Sequence, residues 1–451
     1  MASNTFYIET YGCTSNKADS YIISNVLRDA NYKQTSLDEA RFIIINTCGV
    51  KQQTENKIKT RLRLLSSSFK KDANKHIIIT GCLPFIDESY VRVIGEIVPN
   101  FSAIIDLDRI HEIAQIINQI NKGYKNLVIK SKGSIEKARY LYNFLPGKVT
   151  GIVPISEGCL GSCTYCCVKN ARGRLNCYHP ENIVNNVEHQ LKQGIKQIYL
   201  TSQDCSNYQY NDTHLSDLVQ KIIELDFKFF LRIGMLNPQF LIDNFDQLIS
   251  IYNFNKVYQF LHIPIQSGSD KILETMSRNY KISKLMEKIN LLRERFPSLT
   301  ISTDIICGFP GERDNDFKDT IEFIKWLRPE ILNISKFTPR PGTKAKFMEQ
   351  VNSKIIKERT IKLSRIFREN LININKDWIN WEGEVLILHS TAKENQVFSR
   401  NFAYKNIFIN NYEGILGNFS KVRVYEVDGF NLYANLIDIE YIENEINSNR
   451  K

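Results

Sequence analysis

No uninterrupted apolar run of about 18 residues occurs in this chain, which argues against a membrane-spanning helix. No segment joins a basic start, an apolar stretch and a small-residue cleavage site, so a secretory leader is not expected. Ten cysteines are spread through 451 residues without the density of a small disulfide-stapled scaffold, and a reducing cytosol is the simplest compartment. A closed zinc site is poorly provided for: it wants four ligands, and His76 begins an apolar strand instead of finishing one. What the chain does have is size and material for burial. At 451 residues with 43% hydrophobic content, two or three domains are expected. The net charge of +10 attracts polyanions, although so modest an excess, spread over a surface, also serves solubility.

The cysteines cluster in meaning if not in number. Cys159, Cys163 and Cys166 form CxxxCxxC within SEGCLGSCTYCCVKNARG, and three thiolates so spaced can hold a 4Fe-4S cube with one iron open. Gly158 and Gly161 let backbone approach such a group closely, and Tyr165 reads as its cover. Cys167, Cys177 and Cys205 read as non-ligands. Cys13 in YIETYGCTSNKADS, Cys48 in FIIINTCGV and Cys82 in IIITGCLP each follow a short apolar run. Free cysteine can simply pack as a small hydrophobe. Equivalent placement at three strand ends favours instead a second site with an exchangeable iron.

Periodicity places both trios in an α/β frame. From 1 to 135, strands TFYIETYGC, RFIIINTCG and HIIITGC alternate with helices, which predicts a Rossmann-like, mostly parallel sheet with ligands at the strand C-terminal ends. YLYNFLPGKVTG reads as a linker. From 146 to 375 strands and helices alternate as in a partial (β/α) barrel, where active groups project from strand ends. Ser202, Gln203, Asp204, Arg232, His262, Gln266, Ser267 and Asp304 fall at such ends. From 380 to 441 short strands with polar turns predict a small antiparallel β barrel. Its Arg400, Asn401, Tyr404, Lys405, Lys421 and Arg423 offer phosphate contacts and stacking faces of the kind RNA takes.

On YGCTSNKADS, the CxxxCxxC loop, TSQD, RIGMLNP, HIPIQSGSD, IICGFPGE and KFTPRPGTKA, the chain resembles the radical SAM methylthiotransferases over essentially its whole length, with the last barrel resembling the TRAM module. The resemblance implies that Cys159, Cys163 and Cys166 hold a cluster whose open iron binds S-adenosylmethionine (SAM), and that reductive cleavage gives a 5′-deoxyadenosyl radical. It implies an auxiliary cluster on Cys13, Cys48 and Cys82 that delivers sulfur, making two 4Fe-4S clusters. Around SAM it points to Tyr165, Gln203, Arg232, His262, Gln266, Ser267, Asp304 and Gly308; Gly308 and Gly311 are equally explained as turn formers. Arg340 is expected to face RNA or the N-terminal domain, and Arg400, Tyr404, Lys405, Lys421 and Arg423 to face RNA.

Within that family the motifs look most similar to the archaeal and eukaryotic type acting on threonylcarbamoyladenosine beside the tRNA anticodon; Thr14, Ser15 and Asn16 after Cys13 differ from the glutamine, methionine and asparagine common in the isopentenyladenosine type. SAM is then used twice, as methyl donor to sulfur and as radical source for hydrogen removal at carbon 2 of the adenine. An external electron donor and sulfur donor are implied, with a cytoplasmic monomer as the default and no membrane anchor. The alternatives are action on isopentenyladenosine tRNA or a ribosomal protein, or a cluster-bearing RNA-binding protein without this activity. A conventional methyltransferase would need neither thiolate trio.

Overall fold

The computed structural model describes residues 4–410 and 412–437; the end of the expected third unit, 438–441, lies outside the described residues. Continuous β-branched runs begin the fold. FIIINT and HIIITG are apolar without alternation, as strands covered on both faces of a parallel sheet must be. With β1 (Thr5–Thr10), β2 (Lys33–Gln34), β3 (Phe42–Thr47), β4 (His76–Gly81), β5 (Ala103–Ile105) and β6 (Leu127–Ile129) they form one sheet of order β2-β1-β3-β4-β5-β6. Every pairing in it is parallel.

Helix α1 (Thr14–Asp29) lays Ile22, Ile23 and Leu27 against Phe6 and Phe42 on one face of this sheet. Helix α2 (Gln52–Ser68) lays Ile58, Leu62 and Leu65 against Ile43, Ile45 and Ile79 on the other. Each fully buried Ile or Leu contributes roughly 1.5–3 kcal/mol of transfer free energy. The Rossmann-like expectation holds.

The central region follows the same logic with more open geometry. Strands Thr150–Pro154, Gln197–Thr201 and Phe230–Arg232 pair in parallel, as do Phe260–His262, Thr300–Cys307 and Ile331–Lys336. A parallel bridge between Leu231 and Val257 joins the two halves, with helices such as Pro180–Lys192 and Asp314–Leu327 outside, giving the expected partial barrel.

The long helix Ser353–Lys376 leads to a closed barrel of strands Glu382–Ser390, Val397–Asn401, Asn406–Ile409, Phe419–Val427 and Leu432–Leu436. Four pairings are antiparallel, but Asn406–Ile409 runs parallel to Leu432–Leu436. Strand direction cannot alternate all the way round a ring of five, so one parallel pair is required. This small barrel seals the strand-start end of the central one. Leu386, Leu388 and Tyr404 pack on Val149, Phe230, Tyr258 and Phe260, while Gln259 N–H donates to Phe402 O at 2.8 Å. The opposite end, where the central strands finish, is left to the N-terminal sheet. No helix among the described residues is long and apolar enough to cross a membrane.

Candidate functional site

Cys13, Cys48 and Cys82 follow β1, β3 and β4, three neighbouring strands of the parallel sheet, so topology alone gathers their loops. A fully buried amide pair pins the first two: Asn16 Nδ2 donates to Thr47 O at 2.9 Å, and Asn46 Nδ2 to Asn16 O at 2.8 Å. The Cys13 thiol donates to Asn16 Oδ1 at 3.2 Å. Backbone closeness needs glycine here. Gly12 has φ +115°, and a Cβ on it would lie 2.8 Å from Cys48 Cβ and 3.1 Å from Cys48 Sγ.

The second trio sits in the loop after Thr150–Pro154. Gly161 N–H donates to Cys159 Sγ at 3.2 Å, and Arg278 Nη1 approaches Cys163 Sγ at 3.7 Å. Cys166 is exposed, and Cys159 and Cys163 are half-buried. The loop continues into the short helix Val168–Arg172, which touches the first site. Cys167 Sγ donates to Gly49 O at 3.3 Å, and Arg172 Nε donates to Cys82 Sγ at 3.3 Å.

No set of three or more His, Cys, Asp or Glu side chains among the described residues is arranged to hold a metal ion. A cube offers a separate iron to each thiolate, so its ligands are spread more widely than those around one ion. The donor chemistry fits a cluster at both places: three thiols each, with N–H donors aimed at Cys82, Cys159 and Cys163 sulfur. Burial pushes the Cys48 and Cys159 thiols up and that of Cys82 to about 12, with Arg172 offsetting part of the rise at Cys82. Such thiols stay protonated until further positive charge reaches them.

A cleft of about 450 Å³ opens where the N-terminal sheet meets the partial barrel. Tyr165, Cys166, Gln266 and Asp304 line it from the barrel, with Val50 from the loop after Cys48 and Gln52 from the start of α2. Its volume lies within the range of small-molecule sites. His262 Nε2 meets Asp304 Oδ2 at 2.7 Å, and Gln266 adopts φ +78° while its N–H donates to Asp304 O at 2.7 Å. The structure thus brings Tyr165, His262, Gln266 and Asp304 together with Cys166.

Other expected SAM contacts are placed differently. Gln203 is a tie between domains: its Oε1 accepts from Gly158 N–H at 2.7 Å, and its Nε2 donates to Ser15 Oγ at 3.3 Å. Ser267 is buried behind the cleft, with its Oγ 3.4 Å from Thr320 Oγ1. Gly308 N–H is taken by the Glu312 carboxylate at 2.7 Å. The Arg232 guanidinium lies 4.7, 4.9 and 5.4 Å from the Phe260, Tyr199 and Tyr404 ring centres, toward the sealed end of the barrel.

The expected RNA-facing set divides. Arg340 is 4% exposed and pairs with Glu55 of the N-terminal domain at 2.7 Å, so it faces that domain and not RNA. Tyr404 and Lys405 are also buried, which corrects their reading as RNA contacts. The Tyr404 hydroxyl meets Tyr199 Oη at 2.6 Å, and Lys405 faces Glu330 at 3.6 Å. Arg400 stacks 3.5 Å from the Tyr404 ring centre and donates to Tyr404 O at 2.8 Å, so it belongs to the same plug. Asn401, wholly buried, accepts the Lys405 N–H at 3.0 Å. Lys421 and Arg423 remain exposed on the barrel wall, Arg423 beside Glu382.

A buried charge set was announced by no motif. Asp19, Lys137, Glu157 and Arg172 form four ion pairs of 2.6 to 2.7 Å between the N-terminal helix, the short turn Lys137–Arg139 before the linker and the CxxxCxxC region.

A partial (β/α) barrel with CxxxCxxC at its open end defines a radical SAM enzyme, and the Radical SAM superfamily model matches residues 153–324. The model of Uncharacterized protein family UPF0004 matches residues 5–98, the sheet that carries the other trio. The chain is 37% identical over 425 residues to a probable threonylcarbamoyladenosine tRNA methylthiotransferase of Pyrococcus abyssi, covering 93% of this chain and 96% of that one. It is 31% identical over 430 residues to the threonylcarbamoyladenosine tRNA methylthiotransferase of Homo sapiens, covering 93% and 72%. The chain belongs to the threonylcarbamoyladenosine tRNA methylthiotransferase family within the radical SAM enzymes. Among solved structures, the radical SAM methyltransferase TsrM from Kitasatospora setae aligns with a TM-score of 0.56 at 13% identity, covering 76% of this chain and 75% of that one, which shows the fold alone.

Proposed function

We propose that this chain inserts a methylthio group at carbon 2 of threonylcarbamoyladenosine in tRNA, using two 4Fe-4S clusters and SAM. The observation that carries this reading is one cleft bordered by both cysteine regions, with Cys166 on one wall and the loop after Cys48 on the other. When bound, a cluster on Cys159, Cys163 and Cys166 would supply the electron for SAM cleavage, and one on Cys13, Cys48 and Cys82 the sulfur.

The protein's own groups set the reaction's geometry. The helix Val168–Arg172 fixes the distance between the two regions, because residues at its two ends contact Gly49 and Cys82. Asp304 orients the His262 ring within the barrel, and the left-handed turn at Gln266 presents that residue to the cleft. Tyr165, packed edge-on against Phe309, forms part of the cleft wall beside Cys166. Holding substrate carbon against the radical source in such an enclosure is the protein's part of the catalysis.

The small barrel, through Lys421 and Arg423, is the candidate RNA contact, with backbone phosphate as its target. The three units are taken as 1–135, 146–375 and 380–441. An external electron donor, a sulfur donor and a cytoplasmic, monomeric protein complete the reading; ten dispersed cysteines, without the density of a disulfide scaffold, support the reducing compartment alone.

The test is nucleoside mass spectrometry after incubating reduced, anaerobically reconstituted protein with SAM, sulfide and tRNA bearing threonylcarbamoyladenosine or isopentenyladenosine. A methylthio mass gain on the threonylcarbamoyl tRNA alone is expected. Gain on the isopentenyl tRNA alone overturns the substrate, and no gain on either overturns the activity on tRNA.

A further inference from the structure

Two cations and two anions lie buried between the cysteine regions. Asp19, Lys137, Glu157 and Arg172 are 1%, 2%, 6% and 8% exposed. Lys137 Nζ lies 2.7 Å from Asp19 Oδ1 and 2.7 Å from Glu157 Oε1. Arg172 spends both terminal nitrogens on the same two carboxylates, Nη2 on Asp19 at 2.7 Å and Nη1 on Glu157 at 2.6 Å. The set is neutral as a whole. A purely structural clamp between domains would need nothing more.

The third guanidinium nitrogen has a different target, and that target is a sulfur. With both ends of the planar fork held by carboxylates, the guanidinium has no freedom to rotate, and Arg172 Nε points at Cys82 Sγ at 3.3 Å. Arg172 closes the helix that begins two residues after Cys166, so the donor to one cysteine site is carried by the loop of the other. Asn170 Nδ2, on the same helix, donates to Ile86 O at 2.9 Å and keeps it seated beside Cys82. Outer-shell donors of this kind orient a ligand and tune the group it holds.

We propose that Arg172 is a positioning residue for the auxiliary site: it fixes the Cys82 sulfur and raises the reduction potential of the cluster held there. This rests on the reading that Cys13, Cys48 and Cys82 hold a cluster. The physical reason is electrostatic. Reduction adds negative charge to the cluster and its sulfurs, and a fixed cationic N–H donor favours that state. The site that must hand over sulfur is thereby tuned from the loop where SAM is cleaved.

The test is a mediated dithionite titration, followed by electron paramagnetic resonance, of the full chain after anaerobic reconstitution. Cys159→Ala/Cys163→Ala/Cys166→Ala isolates the auxiliary cluster, and Cys13→Ala/Cys48→Ala/Cys82→Ala isolates the other. Arg172→Lys keeps the charge, and Arg172→Gln/Asp19→Asn removes it while leaving Lys137 and Glu157 balanced, which protects folding. The auxiliary potential is expected to shift negative in Arg172→Gln/Asp19→Asn and by less in Arg172→Lys, with the other cluster unmoved. An unmoved auxiliary potential, or equal shifts in both clusters, overturns the proposal. Failure of the otherwise native first background to bind any cluster overturns instead the two-cluster reading on which it rests.

Discussion

Replacing Lys137 with Met removes one cation from a buried set of four charges. Lys137 is 2% exposed and contacts both Asp19 and Glu157, so the variant leaves two carboxylates to share Arg172. Breaking a buried pair by deleting one partner costs about 3–5 kcal/mol, because the other charge stays buried and uncompensated. That is a large part of the roughly 5–15 kcal/mol that holds a typical domain. Lys137→Met/Asp19→Asn restores balance, leaving Arg172 with Glu157, and is expected to recover much of the loss as a non-additive coupling. Urea unfolding under anaerobic conditions, followed by far-ultraviolet circular dichroism, measures both. A loss below about 1 kcal/mol in the single variant, or a double variant as unstable as the sum of its singles, would refute the reasoning. The sign with pH follows from Asp19. Burial alone would raise its carboxyl, but Arg172 and then Lys137 outweigh that and hold it below the usual range. Its stabilisation is present above the unfolded value of about 3.9 and is lost as pH falls through the lower folded value.

Gly81→Ala puts a side chain on a residue at φ +97° with its Cβ 2.2 Å from Thr47 O; strain of about 1–3 kcal/mol and loss of iron at the adjacent Cys82 site are expected, read by iron content per chain with the Cys159 site spared. Asp106 is pushed up to about 6 by burial and then by Asp108. The folded state therefore binds the extra proton, stability falls as pH rises from about 4 to 6, and Asp106→Asn flattens that slope in urea titrations. Lys421→Glu/Arg423→Glu is expected to weaken tRNA binding and lower the salt slope by about 1 for each phosphate no longer neutralised, whereas Tyr404→Phe, which removes only the bond to Tyr199, leaves RNA affinity unchanged in the same binding assay.

The placement of the cysteines at strand ends was legible because its signals are local. Each of Cys13, Cys48 and Cys82 ends an apolar run, and parallel topology brings consecutive strand ends together whatever the side chains do. The Arg400–Lys405 segment misleads because a cation-and-aromatic mixture serves equally as an RNA surface and as a buried cation–π plug. Only the seating of the small barrel on the strand-start end decides between them, and no short-range pattern encodes that docking. The ion-pair set was silent for a similar reason: Asp19 and Arg172 stand 153 residues apart, each unremarkable in its own segment. Gln203 fell at a strand end as expected, yet its carbonyl is taken by Gly158, a partner fixed by loop geometry.

The division of labour between the cysteine sites is tested most directly by measuring 5′-deoxyadenosine and the methylthio nucleoside together, in Cys13→Ala and Cys159→Ala proteins supplied with reductant, SAM, sulfide and threonylcarbamoyladenosine tRNA. Cys159→Ala is expected to form neither product, and Cys13→Ala to form 5′-deoxyadenosine without the methylthio nucleoside. Methylthio product from folded Cys13→Ala, or 5′-deoxyadenosine from Cys159→Ala, would contradict it.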